Sequence, residues 1–148
     1  MYELIYASRA VVDLSENELE VFLGRSRERN AAADITGCLL HVHDRPGDAA
    51  YFVQLLEGPQ EAVEETYRRI TQDLLHVDST VVYQGEREGR GFEGWRMRLA
   101  TITTESVLAL IATDPEYLND PRPTAELLQN PSLARALLEL QAGRAVTP

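Results

Sequence analysis

Three side chains with amide or phenol chemistry fall at positions that should be buried: Tyr6, Asn30 and Gln54. Gln54 lies in YFVQLLEGP, residues 51–59. Period-two alternation there puts Phe52, Gln54 and Leu56 on one face of a strand and Tyr51, Val53 and Leu55 on the other, both otherwise apolar. Asn30 ends a helical stripe that starts with Leu19, Phe22 and Leu23 and continues by i+3 and i+4 steps through Ser26. Tyr6 stands near the end of the first strand-like run, YELIYAS (2–8). A buried amide left unpaired costs about 1–3 kcal/mol, so Asn30 and Gln54 need each other or a bound polar ligand. The phenol of Tyr6 can both donate and accept. Each of the three taken alone reads as a satisfied core hydrogen bond. Taken together, on the first strand, the first helix and the third strand, they point to one pocket between sheet and helices. Its ligand would take amide hydrogen bonds inside an apolar envelope such as Phe22 and Ile70 can give.

The elements that must position these residues follow in order. Ser15-Glu16-Asn17-Glu18 is a capping box that opens a helix reaching about Ala32. ITGCLLHVH (35–43) and the Gln54 strand flank turn chemistry in DRPGDAA and form a hairpin. Gly58-Pro59 opens a second helix with Val63, Tyr67, Ile70 and Leu74 inward. After HVDST comes a strand VVYQG, a charged and glycine-rich loop (85–94), and a last strand in which Trp95, Met97 and Leu99 alternate with Arg96 and Arg98. The order βαββαββ predicts an α+β, ferredoxin-like sheet with two helices on one face. Segments 104–112 and 131–142, separated by the proline-rich DPEYLNDPRPT, are expected to be C-terminal helices covering the other face. That divides the chain into residues 1–100 and a helical cap, 101–148. The cap either packs on the sheet or offers a surface for self-association or a partner.

Composition narrows the function classes. The 148 residues are 44% apolar, enough for a core without staples. The single cysteine, Cys38, sits in an apolar run and reads as a reduced, buried thiol. No basic start or apolar stretch of roughly 20 residues marks a signal peptide or a membrane span, so a cytoplasmic protein with no membrane contact is expected. A formal charge of −10 argues against direct nucleic-acid binding, which requires a basic face.

LIYAS (4–8), SRERNAAADITGCLL (26–40), FVQLLEGP (52–59), YRRITQD (67–73) with His76, and FEGWRMRL (92–99) occur in order and at near-regular spacing. As a set they resemble the BLUF domain, a flavin-binding blue-light sensor, over about residues 2–100. The resemblance implies FAD between the two helices, with FMN or riboflavin as possible replacements. It implies that Tyr6 is the photochemical electron and proton donor, Gln54 the amide between tyrosine and flavin, and Asn30 a partner of the ring's polar edge. Phe22 and Ile70 would flank the ring; Ser26 and Arg29, with Asn30 on the first helix, would also bind the cofactor, and Arg69, Asp73 and His76 would lie toward the ribityl chain and pyrimidine end. Trp95 and Met97 are the switch candidates. The chain departs from the family in its long hairpin loop, in Arg29 where relatives often carry Asn or His, and in Leu75 before the histidine.

Rival readings remain beside this one. His41 and His43 alternate onto one strand face and could bind a metal, though a solvent-facing hairpin end is the expectation. An acylphosphatase-like hydrolase shares the fold plan, but RAVVDLS after the first strand lacks a glycine-rich anion cradle. A flavin-free interaction module of the same fold is the other alternative. The sequence is read as a photoreceptor without enzymatic output of its own, a homo-oligomer (dimer or higher) that signals by self-association or to a separate protein.

Overall fold

A computed structural model describes residues 1–11, 14–43, 50–73, 76–113 and 124–142. The elements run β1 (Tyr2–Ala10), α1 (Glu16–Ala32), β2 (Thr36–His43), β3 (Tyr51–Gly58), α2 (Gln60–Thr71), β4 (His76–Glu86), β5 (Arg98–Thr103), α3 (Thr104–Thr113), α4 (Thr124–Leu127) and α5 (Pro131–Ala142). The sheet order is β4-β1-β3-β2-β5. All pairs are antiparallel except β2 with β5. Each helix-linked pair of strands thus leaves a gap that a strand from the other pair fills, the ferredoxin-like plan with a fifth strand added. No helix among the described residues is long and apolar enough to cross a membrane.

Local chemistry sets the boundaries. Ser15 Oγ accepts from Glu18 N (3.2 Å) while Glu18 Oε1 accepts from Ser15 N (3.1 Å), closing the capping box and lowering the Glu18 pKa. α1 ends where Asp34 turns left-handed (φ 58°), and Ile35 N–H then satisfies Asn30 O at 2.8 Å. Pro59 is the N-cap of α2, just outside its first turn. β4 is longer than VVYQG alone and takes in HVDST; Asp78, at φ 55°, sits where its register against β1 shifts. The hairpin positions 44–49 and Leu74 and Leu75 lie outside the described residues.

The sheet separates two cores. On the α1/α2 side, Leu4, Tyr6, Phe52 and Leu56 pack with Leu19, Leu23 and Val63. On the other side, Ile5, Val53 and Leu55 meet Val107 of α3 and Leu133, Leu137 and Leu138 of α5, with Leu127 and Leu128 between them. The C-terminal segments therefore bury the second sheet face, as an apolar sheet surface requires. Cys38 is buried in this second core and its thiol pKa is pushed up to about 12 by burial, so it is an inert thiol.

Two buried carboxylates sit side by side on the same face, Glu3 directly opposite Glu57 in the β1/β3 register. Like charges so placed repel unless cations bridge them. Arg87 Nη1 reaches Glu3 (2.6 Å) and Glu57 (3.4 Å), Arg135 of α5 reaches Glu3 (2.6 Å), and the backbone N–H groups of Gly91 and Phe92 donate to Glu57. This network pins both the 87–92 loop and α5 to the sheet. Since Leu138 is 1% exposed and Leu140 47%, Leu138→Ala should cost about 2–5 kcal/mol in denaturant unfolding and Leu140→Ala within about 0.5 kcal/mol. Equal, small effects would show that α5 does not fold as one unit with the sheet.

Candidate functional site

β1 and β3 bring Tyr6 and Gln54 together because they are cross-strand partners on the α1/α2 face. Tyr6 Oη donates to Gln54 Oε1, and the other end of the amide, Nε2, donates to Met97 Sδ at 3.2 Å. The amide is 5% exposed and engaged at both ends. Tyr6 is fully buried under Tyr67 of α2, with ring centroids 5.3 Å apart. Tyr67 is fixed in turn by a 2.9 Å hydrogen bond with Ser79 of β4. The Tyr6 pKa is held well above its usual value, first by burial and then by the neighbouring Tyr67 and Asp73. Tyr6 is therefore a neutral phenol with its proton aimed at Gln54.

A cleft of about 340 Å³ opens between α1 and α2 above this pair. That volume is at the small end of those that hold an organic ligand. Phe22, Leu39, Leu56 and Ile70 give it apolar walls, while Ser26, Asn30 and Gln54 bring polar groups to it. Arg25, Arg29, Arg69 and Asp73 also line it. The amides each offer a donor and an acceptor, as the polar edge of a fused heteroaromatic ring requires, and the guanidinium groups suit an anionic extension of the ligand. The residues present fit a flavin.

The residues expected from the sequence are nearly all at this cleft, with several corrections. Tyr6 does not line it, because Gln54 and Tyr67 cover the phenol. Phe22 is not a core residue but is 37% exposed on the cleft wall. Asn30 and Gln54 do not pair; Asn30 Nδ2 donates to Arg96 O at 2.6 Å. His76 opens β4 opposite Ala10, and its side chain lies outside the described residues. Trp95 and Met97 do not alternate along the last strand: β5 starts at Arg98, after a turn at Gly94 (φ 88°). Met97, 1% exposed, faces Gln54 in the helix-side core, whereas Trp95 packs on the tail side with Arg98 5.0 Å over its ring. His41 is not solvent-facing but 2% exposed against Phe52, and no metal-ligand cluster occurs among the described residues. Arg27 was not anticipated; its Nε donates to Met97 O at 2.9 Å. The legible signal was its i+3 relation to Asn30, which puts both on one helix face.

Comparison with known proteins shows the family and the fold. Residues 1–98 match the profile of the BLUF family, described as sensors of blue-light using FAD. Photoactivated adenylate cyclase subunit beta of Euglena gracilis is 38% identical over 107 residues, 72% of this chain and 11% of that protein. The chain spans about a tenth of the length of the first curated relatives it matches. Among solved structures, BlrB, a BLUF protein in its dark state, is 29% identical and superimposes with a TM-score of 0.60, covering 90% of this chain and 96% of that one. The photo-activated state of BlsA has the same fold, with a TM-score of 0.75 over 99% of this chain and 98% of that one at 23% identity. With more than half its length matched and the cleft and its amides in place, the chain belongs to the BLUF family of blue-light sensors.

Proposed function

We propose that the protein is a blue-light receptor that binds FAD in the α1/α2 cleft and stores the absorbed photon as a rearranged hydrogen-bond network. The observation that carries this reading is the chain Tyr6 Oη to Gln54 Oε1, Gln54 Nε2 to Met97 Sδ, with Gln54 on the cleft wall. A flavin bound there supplies a blue-absorbing ring that accepts one electron when excited. Tyr6 is the donor of that electron and passes its phenolic proton toward Gln54; both return to Tyr6, so the tyrosine is regenerated. Gln54 carries its donor and acceptor on one rotatable group, so it would settle with Nε2 turned toward Tyr6 Oη and Oε1 toward the flavin, giving up the bond to Met97 Sδ, which can only accept. Asn30 would hold the ring's polar edge with Ser26 and Arg29 beside it, Phe22 and Ile70 its faces, and Arg69, Asp73 and His76 would lie toward the ribityl chain and pyrimidine end.

The output passes through two elements that touch Gln54. Met97 leads into β5, and β3 itself carries Val53 and Leu55 against the C-terminal helices. A change at Gln54 thereby biases the packing of the tail, which presents itself to a second copy or a separate signalling protein. The residues implicated hold and move a proton within the receptor and perform no net reaction.

Absorption spectra of the FAD-loaded protein in the dark and under blue light test the reading. A flavin band that shifts slightly to the red and recovers in darkness is expected, and Tyr6→Phe should keep the flavin and lose the shift. A shift that persists in that variant removes Tyr6 from the mechanism; failure to take up any flavin favours a flavin-free interaction module.

Burial of Tyr6 also fixes a pH dependence. The phenol is raised in the folded state, so its contribution to stability is whole below the unfolded value of 10.0 and is lost as pH rises from there through the folded value. Urea unfolding at pH values above 10.0 should show stability falling with pH, and falling less in Tyr6→Phe. An identical fall in both proteins would mean Tyr6 is not the buried phenol responsible.

A further inference from the structure

Between Phe92 and β5 the chain has no regular ladder and is tied to β2 by Gly37 N–H, which donates to Trp95 O at 3.1 Å. Trp95 N–H turns back to Phe92 O at 3.0 Å, and the ladder with β2 is met at Cys38 opposite Arg98. The carbonyls of Arg96 and Met97 take their donors from α1: Asn30 Nδ2 to Arg96 O at 2.6 Å and Arg27 Nε to Met97 O at 2.9 Å. Residues three apart share a helix face, so one stripe of α1 grips two consecutive carbonyls. The far side of the Arg27 guanidinium is held by Glu20, with Nη1 to Oε2 at 2.7 Å and Nη2 to Oε1 at 3.4 Å. Such a two-point contact fixes the plane of the guanidinium and hence the direction of its Nε–H.

We propose that Arg27 is a positioning residue for the light switch, setting the backbone at Met97 so that Sδ meets the Gln54 amide, with Glu20 orienting Arg27. The proposal rests on the sensor reading above. A methionine side chain has three rotatable bonds and a weakly accepting sulfur, so the sulfur is placed only as well as its backbone is. Met97 lies just ahead of the β5 ladder, and its own carbonyl is bonded to Arg27. Return of Gln54 from the light arrangement needs that acceptor in place, and loosening it slows the return. The relay Gln54, Met97, Arg27, Glu20 also runs from the cleft floor to the solvent side of α1, where Glu20 is 46% exposed.

Dark recovery of the FAD-loaded full chain after blue light reads this directly. Arg27→Met keeps the aliphatic stem and removes the donor; it should retain flavin and the red shift while recovery slows roughly tenfold, the scale of one charge-assisted hydrogen bond. Glu20→Gln, at a half-exposed site, should slow recovery less and in the same direction. In a Met97→Leu background Arg27→Met should add nothing, because the two act as one unit. Unchanged recovery in Arg27→Met and Glu20→Gln, or an undiminished effect in the Met97→Leu background, overturns the assignment alone. Should Arg27→Met not fold, unchanged recovery in Glu20→Gln overturns it by itself. Absence of any light-induced shift in the unsubstituted protein overturns the sensor reading and this inference together.

Discussion

A carboxamide buried in a protein core must satisfy a donor and an acceptor that point in different directions, and the fold around Gln54 is arranged to meet both demands. The acceptor end is met by Tyr6 across the β1/β3 ladder and the donor end by Met97 from the segment leading into β5. Each partner brings its own supports. Tyr6 is roofed by Tyr67, which Ser79 fixes; Met97 is held through its carbonyl by Arg27, which Glu20 fixes. One side chain thus organises contacts from β1, β4, α1, α2 and the segment leading into β5. A thioether sulfur accepts and cannot donate, so with these two partners only the orientation that turns Nε2 to Met97 and Oε1 to Tyr6 satisfies both ends of the amide.

Much of this was legible in the sequence because it is carried by periodicity. The alternation around Gln54, the stripe through Leu19, Leu23 and Asn30, the capping box at Ser15 and the tail positions Val107, Leu133, Leu137 and Leu138 depend on local spacing and stand where that spacing puts them, whereas Phe22, Leu108 and Leu140 are exposed. What was not legible depends on contacts between distant residues. Trp95 and Met97 look alternating, but the left-handed turn at Gly94 and the Asn30 and Arg27 hydrogen bonds shape that segment before its regular ladder begins at Arg98, although Trp95 O already accepts from Gly37 N–H of β2. His41 reads as the polar end of a hairpin, yet Phe52, its register partner on β3, covers it. The polarity of a residue type is a poor guide where a neighbouring strand decides its exposure.

The charged residues divide in the same way. The formal charge of −10 describes the surface, while the buried carboxylates Glu3 and Glu57 act locally, drawing Arg87, Arg135 and two backbone N–H groups onto the tail-facing side of the sheet. A pair of like charges placed directly opposite one another is stable only when both its cations are present. The acidic pair therefore specifies where α5 and the 87–92 loop must lie, in addition to any stability it contributes.

β3 carries Gln54 toward the helices and, one residue to either side, Val53 and Leu55 toward the tail. The two faces are separated by a single peptide bond, and the even and odd positions of one strand answer to different neighbours. Variation at the odd positions and in the helices that cover them can reshape the tail-side core while the face that carries Gln54 stays as it is. A displacement along β3 is therefore felt by both layers at once, because one rigid backbone is the common wall of two separate interiors.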